Sequence, residues 1–140
     1  MKIGYSKISQ ELFYKLLETY NITKRDKIYF GSHNGEYKLE KEKGGLWLYD
    51  FTDTINKKII EFNGDMYHGN PRKYKASDTP HPFRKNITAQ EMWNNDKEKT
   101  RIANVNGFEV LTIWDSEYRW GNKKEIINKC IKFLNNKNDN

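Results

Sequence analysis

Residues 49–68 read YDFTDTINKKIIEFNGDMYH, and their pattern decides the fold. The apolar run Leu46-Trp47-Leu48-Tyr49 and the run Ile59-Ile60-Glu61-Phe62 flank a polar centre, which predicts one short β-hairpin. Asp50 closes the first run and Glu61 interrupts the second. Carboxylates rarely sit in strongly apolar strands unless they are paired, hydrogen-bonded or bound to a metal. A turn about Ile55-Asn56 places Asp50 opposite Glu61. Two anions across one ladder repel, so this pairing points to a cation between them. His68 comes seven residues after Glu61, beyond an Asn63-Gly64-Asp65 turn, as a candidate ligand or general base on the chain leaving the strand.

Outward from the hairpin, residues 6–20 predict a helix. Ile8, Leu12, Phe13, Leu16, Leu17 and Tyr20 form its apolar stripe, and Ser6 or Ser9 is available as N-cap. Ile28-Tyr29-Phe30 reads as a short strand, and GSHNGEYKL as a turn leading into a second. Residues 69–87 have no period and contain all three prolines, so they read as a long loop. Thr88 with Glu91 opens a second helix, which Gly107 closes. FEVLTIW, residues 108–114, reads as a strand buried on both faces. A last helix spans 123–134, and residues 135–140 read as a frayed tail. The expected fold class is α/β with a mixed sheet: helix, four short strands, helix, strand, helix, in a single domain over residues 1–140.

A chain of 140 residues is long enough to bury a real core, although its mean hydropathy of −1.02 makes that core economical. Net charge is +6, which suits a polyanionic partner. The single Cys130 excludes an internal disulfide framework and fits a buried small hydrophobe. No apolar run approaches membrane-spanning length and the N-terminus does not read as a signal peptide, so the expected location is cytoplasmic.

On the second helix Ala89, Met92, Trp93, Asp96 and Ala103 share one face, so Asp96 points into an apolar stripe, with Lys97 and Arg101 further round. Glu11 sits early in the first helix, where the dipole favours an acid in any case. Asp53 and Asp65 are natural turn residues. The basic residues Arg72, Lys73, Lys75, Arg84 and Lys85 of the long loop, with Arg101, are candidates for contact with a phosphate backbone. Carboxylates that hold Mg²⁺, with Mn²⁺ as a substitute, and a His or Lys that handles the nucleophile are the set needed for phosphodiester hydrolysis. Zinc hydrolase spacing and a phosphate-binding P-loop are both absent from the sequence. A non-catalytic nucleic-acid binding module and a structure-specific or RNA-directed nuclease are the alternatives; a pure binder gains nothing from anions beside phosphate.

The hairpin, IIEFNGDMYHGNP, DKEKTRIANVNGFEVLTIWDSEY and the early SQEL helix resemble nucleases of the PD-(D/E)xK superfamily. They are most similar to the branch of very-short-patch mismatch-repair endonucleases and of phage homing endonucleases with an EDxHD site. The resemblance spans residues 6–118. It implies a restriction-endonuclease-like fold and a metal-dependent endonuclease acting on double-stranded DNA in a bacterial or phage-infected cell. Asp50 stands at the central metal-ligand position, Glu61 at the second acid, and Asp96 at the helix acid that closes the site. Glu11 matches an acid that approaches the metal through water. His68 matches the family His that acts on the attacking water or the phosphate, and Lys97 a phosphate contact. The usual lysine two residues after the second acid is Asn63 here, so the base role passes to His68 or Lys97. The cysteine needed for the structural zinc of the very-short-patch enzymes is missing, which favours a homing or other site-directed nuclease. A homodimer, or a separate recognition domain or protein, are the partners such an enzyme calls for.

Overall fold

The computed structural model describes residues 6–19 and 22–136. In chain order these form α1 (Lys7–Thr19), a 3-10 helix (Ile22–Lys27), β1 (Ile28–Tyr29), β2 (Tyr37–Glu40), β3 (Leu46–Tyr49), β4 (Phe51–Asp53) and β5 (Lys58–Asn63). Then come α2 (Asp65–His68), α3 (Ala89–Val105), β6 (Glu109–Trp114), α4 (Asp115–Arg119) and α5 (Lys123–Asn135). A four-stranded mixed sheet has the order β1-β4-β5-β6, and β2 and β3 form a separate antiparallel ribbon. Tyr20 and residues 137–140 of the expected first helix and tail lie outside the described residues.

Asp53 fixes the central hairpin. Its Oδ1 accepts from the Ile55 and Asn56 backbone N–H groups at 2.9 and 3.1 Å, closing the turn with a side chain. Phe51 consequently faces Ile60, Thr52 faces Ile59 and Asp53 faces Lys58, the register expected from the sequence.

The expected single hairpin over residues 46–62 is broken at Asp50. Leu46–Tyr49 leaves the main sheet and pairs with β2, Tyr37 facing Tyr49. Trp47 and Tyr49 pack inward against Ile59, Ala103 and Phe108, while Leu46 and Leu48 are exposed. The apolar alternation belongs to a ribbon with one covered face rather than to a longer central strand. At the bend, the Asp50 carboxylate takes the Phe62 N–H at 2.7 Å, so a side chain satisfies a backbone donor of β5.

β5 is buried along its whole length, with β4 antiparallel on one side and β6 parallel on the other. β6 is an edge strand and mostly half-buried, which corrects the expectation of burial on both faces. The expected order also lacked α2 and α4, helices of four and five residues. Residues that short carry no resolvable helical period.

Caps and stripes account for the longer helices. Ser6 Oγ accepts from Ser9 N at 3.2 Å, Thr88 caps α3 by accepting from Glu91 N, and Asn122 caps α5 by accepting from Glu125 N. α3 ends on Gly107, whose φ of 89° lets Gly107 N bond Asn104 O and Phe108 N bond Ala103 O. Leu12, Phe13, Leu16 and Leu17 of α1 pack with Phe51, Ile60, Phe62 and Ile113 of the sheet and with Cys130 and Leu134 of α5. No helix among the described residues is long and apolar enough to cross a membrane.

Ile60, fully buried at the centre of this core, tests the layer arrangement. Ile60→Ala lowers the unfolding free energy by about 2–5 kcal/mol in urea denaturation. A loss under about 1 kcal/mol shows that α1 and α5 do not cover this face of the sheet.

Candidate active site

Alternation along β5 sends Ile60 and Phe62 toward α1 and α5, and Ile59, Glu61 and Asn63 toward α3. That second face changes character along the strand. Ile59 packs with Tyr49, Ala103 and Phe108, but Glu61 and Asn63 follow it. In β6, Thr112 and Trp114 lie beside Glu61 and Asn63. Asn63, Thr112 and Trp114 of the sheet and His68, Trp93, Asp96 and Lys97 above it line a cleft of about 710 Å³. A cleft thus opens at the carboxyl ends of the two parallel strands.

Next to the Phe51–Ile60 pair of the β4–β5 ladder, Asp50 and Glu61 meet as the register requires, and neither lines this cleft. Asp50 N–H donates to Glu61 Oε2 at 3.3 Å. Burial raises the Asp50 pKa well above the usual carboxylate range, the Glu61 charge adds to it, and Lys99 and the Phe62 N–H oppose it. Glu61 Oε1 is buried and accepts no hydrogen bond; the Lys99 ammonium lies 2.8 Å away as an ion pair. Burial alone lowers the Lys99 pKa, but Glu61 and Asp50 outweigh it and hold it above its usual value. A cation of the chain itself, Lys99, thus meets one of the two acids, Glu61.

The His68 site is made by packing of α2 on α3. Gly69 ends α2 with φ 61°, and a Cβ there would sit 3.1 Å from the Ala89 Cβ and 3.3 Å from the Met92 sulfur. Only glycine allows both the left-handed backbone and this close approach. The Trp93 indole N–H donates to the Gly69 carbonyl and holds the junction. His68 Nδ1 then lies 2.8 Å from Asp96 Oδ2. A carboxylate accepts, so Nδ1 carries the proton and Nε2 is left as the acceptor. His68 leaves a one-turn helix, where the sequence pointed only to chain following a strand.

Several expected roles change. Asp96 is turned to His68 instead of to the acid pair, and no three His, Cys, Asp or Glu side chains among the described residues converge as a metal cage. Asp50 and Glu61 are the two proposed ligands that the fold brings together. Glu11 is bonded to Lys15 and to the Tyr118 hydroxyl, each at 3.1 Å, with Lys123 3.6 Å away. The Lys15 bond lowers its pKa, and these contacts place it in a different surface cluster from Asp50. Lys97 is exposed at the cleft rim, and the ammonium that reaches the acids is Lys99, which the sequence reading missed. Asp96 and Lys99, three residues apart on a helix face that already includes Ala103, were the available signal.

Among the basic residues, Arg72, Lys75, Arg84 and Lys85 are exposed on the long loop. Lys73 is held by Asp65 at 2.7 Å, and Arg101 by Glu42 and Glu98 at 2.6 Å each, so both expected phosphate contacts are already engaged. Asp65 thereby ties the loop to α2, helped by Asn70 at 3.2 Å.

The raised Asp50 pKa has a defined sign for stability. A carboxyl whose folded pKa exceeds its unfolded pKa stabilises the fold at low pH, and that contribution is lost as pH rises through the folded value. Stability of the metal-free protein therefore falls from the ordinary carboxylate range upward, by at most about 1.4 kcal/mol per pH unit. Asp50→Asn removes this slope in urea unfolding followed between acid and neutral pH. An unchanged slope in that variant means Asp50 is ionised throughout. Protein-family models, curated proteins and solved structures were compared with this chain, and none matches.

Proposed function

We propose that the chain is a divalent-metal-dependent DNA endonuclease with a restriction-endonuclease-like fold, hydrolysing phosphodiester bonds. The observation that carries this reading is the buried Asp50–Glu61 pair, two hard oxygen donors held together where β5 faces α3. Glu61 Oε1 is buried and accepts no hydrogen bond, and it meets the Lys99 ammonium at 2.8 Å, so it is an oxygen already used to face a cation. That donor set fits Mg²⁺, or Mn²⁺ in its place, with water and phosphate oxygens completing the shell.

A divalent ion held by Asp50 and Glu61 would supply polarisation of the scissile phosphate and a water of lowered pKa. The chain supplies the rest. Asp96 fixes the His68 tautomer and leaves Nε2 to take a proton from the attacking water or to hold a phosphate oxygen. Arg72, Lys75, Arg84 and Lys85 provide exposed positive charge for the backbone of double-stranded DNA, in line with the net charge of +6.

The test is incubation of the protein with supercoiled plasmid, with Mg²⁺ and with EDTA, beside Asp50→Asn and His68→Ala. The wild type converts plasmid to open-circular or linear product only with metal. Asp50→Asn loses at least about a hundredfold in rate, and His68→Ala about 10²–10⁴-fold. Cleavage that survives Asp50→Asn moves the chemistry elsewhere, and binding of DNA without cleavage under any metal sinks the enzyme reading. Lys97→Ala changes the rate less than His68→Ala, because Lys97 stays at the rim.

A further inference from the structure

Lys99 is built into α3 with more support than an ordinary surface lysine. Its side chain is 19% exposed, although a lysine on a helix face normally reaches solvent. Tyr49 holds it twice: the hydroxyl donates to the Lys99 carbonyl at 2.8 Å, and the ring lies 4.9 Å from the ammonium. The ammonium therefore does not swing freely; it is pre-positioned 2.8 Å from Glu61 Oε1. Asp50 and Asp96 also act on it electrostatically, and so does Glu36, one residue before β2 and one step from the Tyr37–Tyr49 pair. Of these carboxylates, Glu61 is the one in contact with the ammonium.

We infer that Lys99 is the resident counter-ion of the Asp50–Glu61 pair, and that a divalent cation binds there in competition with its ammonium. This rests on the metal reading proposed above and adds to it a residue that sets metal affinity. The physical ground is occupancy. The Glu61 oxygen nearest the ammonium has no other partner, so it is the atom that a metal must take over. Two positive centres sharing one carboxylate oxygen repel, so occupancy by the ion weakens the Lys99 contact, and the contact weakens ion binding. In the metal-free protein the ammonium keeps the acid pair folded. With metal bound, the Lys99–Glu61 contact would weaken.

Isothermal titration with Mn²⁺ alone, together with thermal unfolding with and without Mn²⁺, tests this on wild type, Lys99→Met, Lys99→Gln, Lys99→Arg and Asp50→Asn. Lys99→Met and Lys99→Gln unfold at lower temperature than wild type without metal. They bind Mn²⁺ at least about tenfold more tightly, and Mn²⁺ raises their unfolding midpoint more than that of the wild type. Lys99→Arg keeps the charge and stays near wild-type affinity. Lys99→Gln can still donate to Glu61, so it keeps the comparison open if Lys99→Met does not fold.

Wild-type Mn²⁺ binding that Asp50→Asn abolishes, with equal or weaker binding by both neutral variants, overturns the inference and leaves the metal reading standing. Absence of Mn²⁺ binding by the wild type and by both neutral variants overturns both. Binding by the neutral variants alone supports competition in its strongest form.

Discussion

Two carboxylates held side by side beneath a sheet are the constraint on which the rest of this structure turns. At about 4 Å two like charges repel by roughly 4 kcal/mol at the effective dielectric of a protein surface, and by more with burial. A domain of this size is stable by only about 5–15 kcal/mol, so the repulsion has to be met locally. The fold meets it in three ways. Asp50 stays protonated to unusually high pH, the Phe62 N–H donates to its carboxyl group, and α3 brings Lys99 against Glu61. Each response leaves a mark on the architecture: the bend between β3 and β4, the bonding of β5 to a side chain, and the close seat of α3 on the sheet.

The same constraint explains why one face of β5 is graded. An apolar face along its whole length would seal α3 onto the sheet. Ile59, Phe108 and Ala103 do this at one end, and Glu61 and Asn63 prevent it at the other. The cleft is the region that the apolar contacts do not close. α2 and its Gly69 junction then bring His68 to the border of that region, with Asp96 behind it. The imidazole is positioned by α2 packed on α3 and by its contact with Asp96.

Much of this was legible in the sequence because it depends on short-range pattern. The β4–β5 register followed from a turn residue and a count along two apolar runs, and Asp53 proves to be the side chain that makes that turn. The capped helices followed from Thr88, Gly107 and a stripe of period 3.6. The bend at Asp50 was not legible, since Leu46–Tyr49 alternates as a longer strand would, and only its pairing with the distant Tyr37–Glu40 separates them. Lys99 was hidden for a related reason. A lysine on an amphipathic helix reads as solvated, and its partner Glu61 lies on another element 38 positions earlier in the chain. Glu11 has contacts that the sequence did not show. Resemblance placed it near a metal, whereas α1 is seated by Phe13, Leu16 and Leu17 and presents Glu11 to Tyr118 and Lys123.

Where the strand might have carried a lysine, this chain has Asn63, and the ammonium comes from α3. The change of element matters physically. A lysine on β5 would be fixed relative to Glu61 by the strand they share. One on α3 depends on how that helix sits, and so does Asp96, three residues before it. A single rigid helix therefore carries both the group that orients His68 and the group that neutralises the acid pair. Asp96 meets His68 where α2 packs on α3, an approach set by Gly69 and Ala89, and Lys99 meets Glu61 where α3 packs on the sheet, a seat fixed by the Tyr49 hydroxyl bond. One helix thus links the acid pair and the imidazole through two different interfaces.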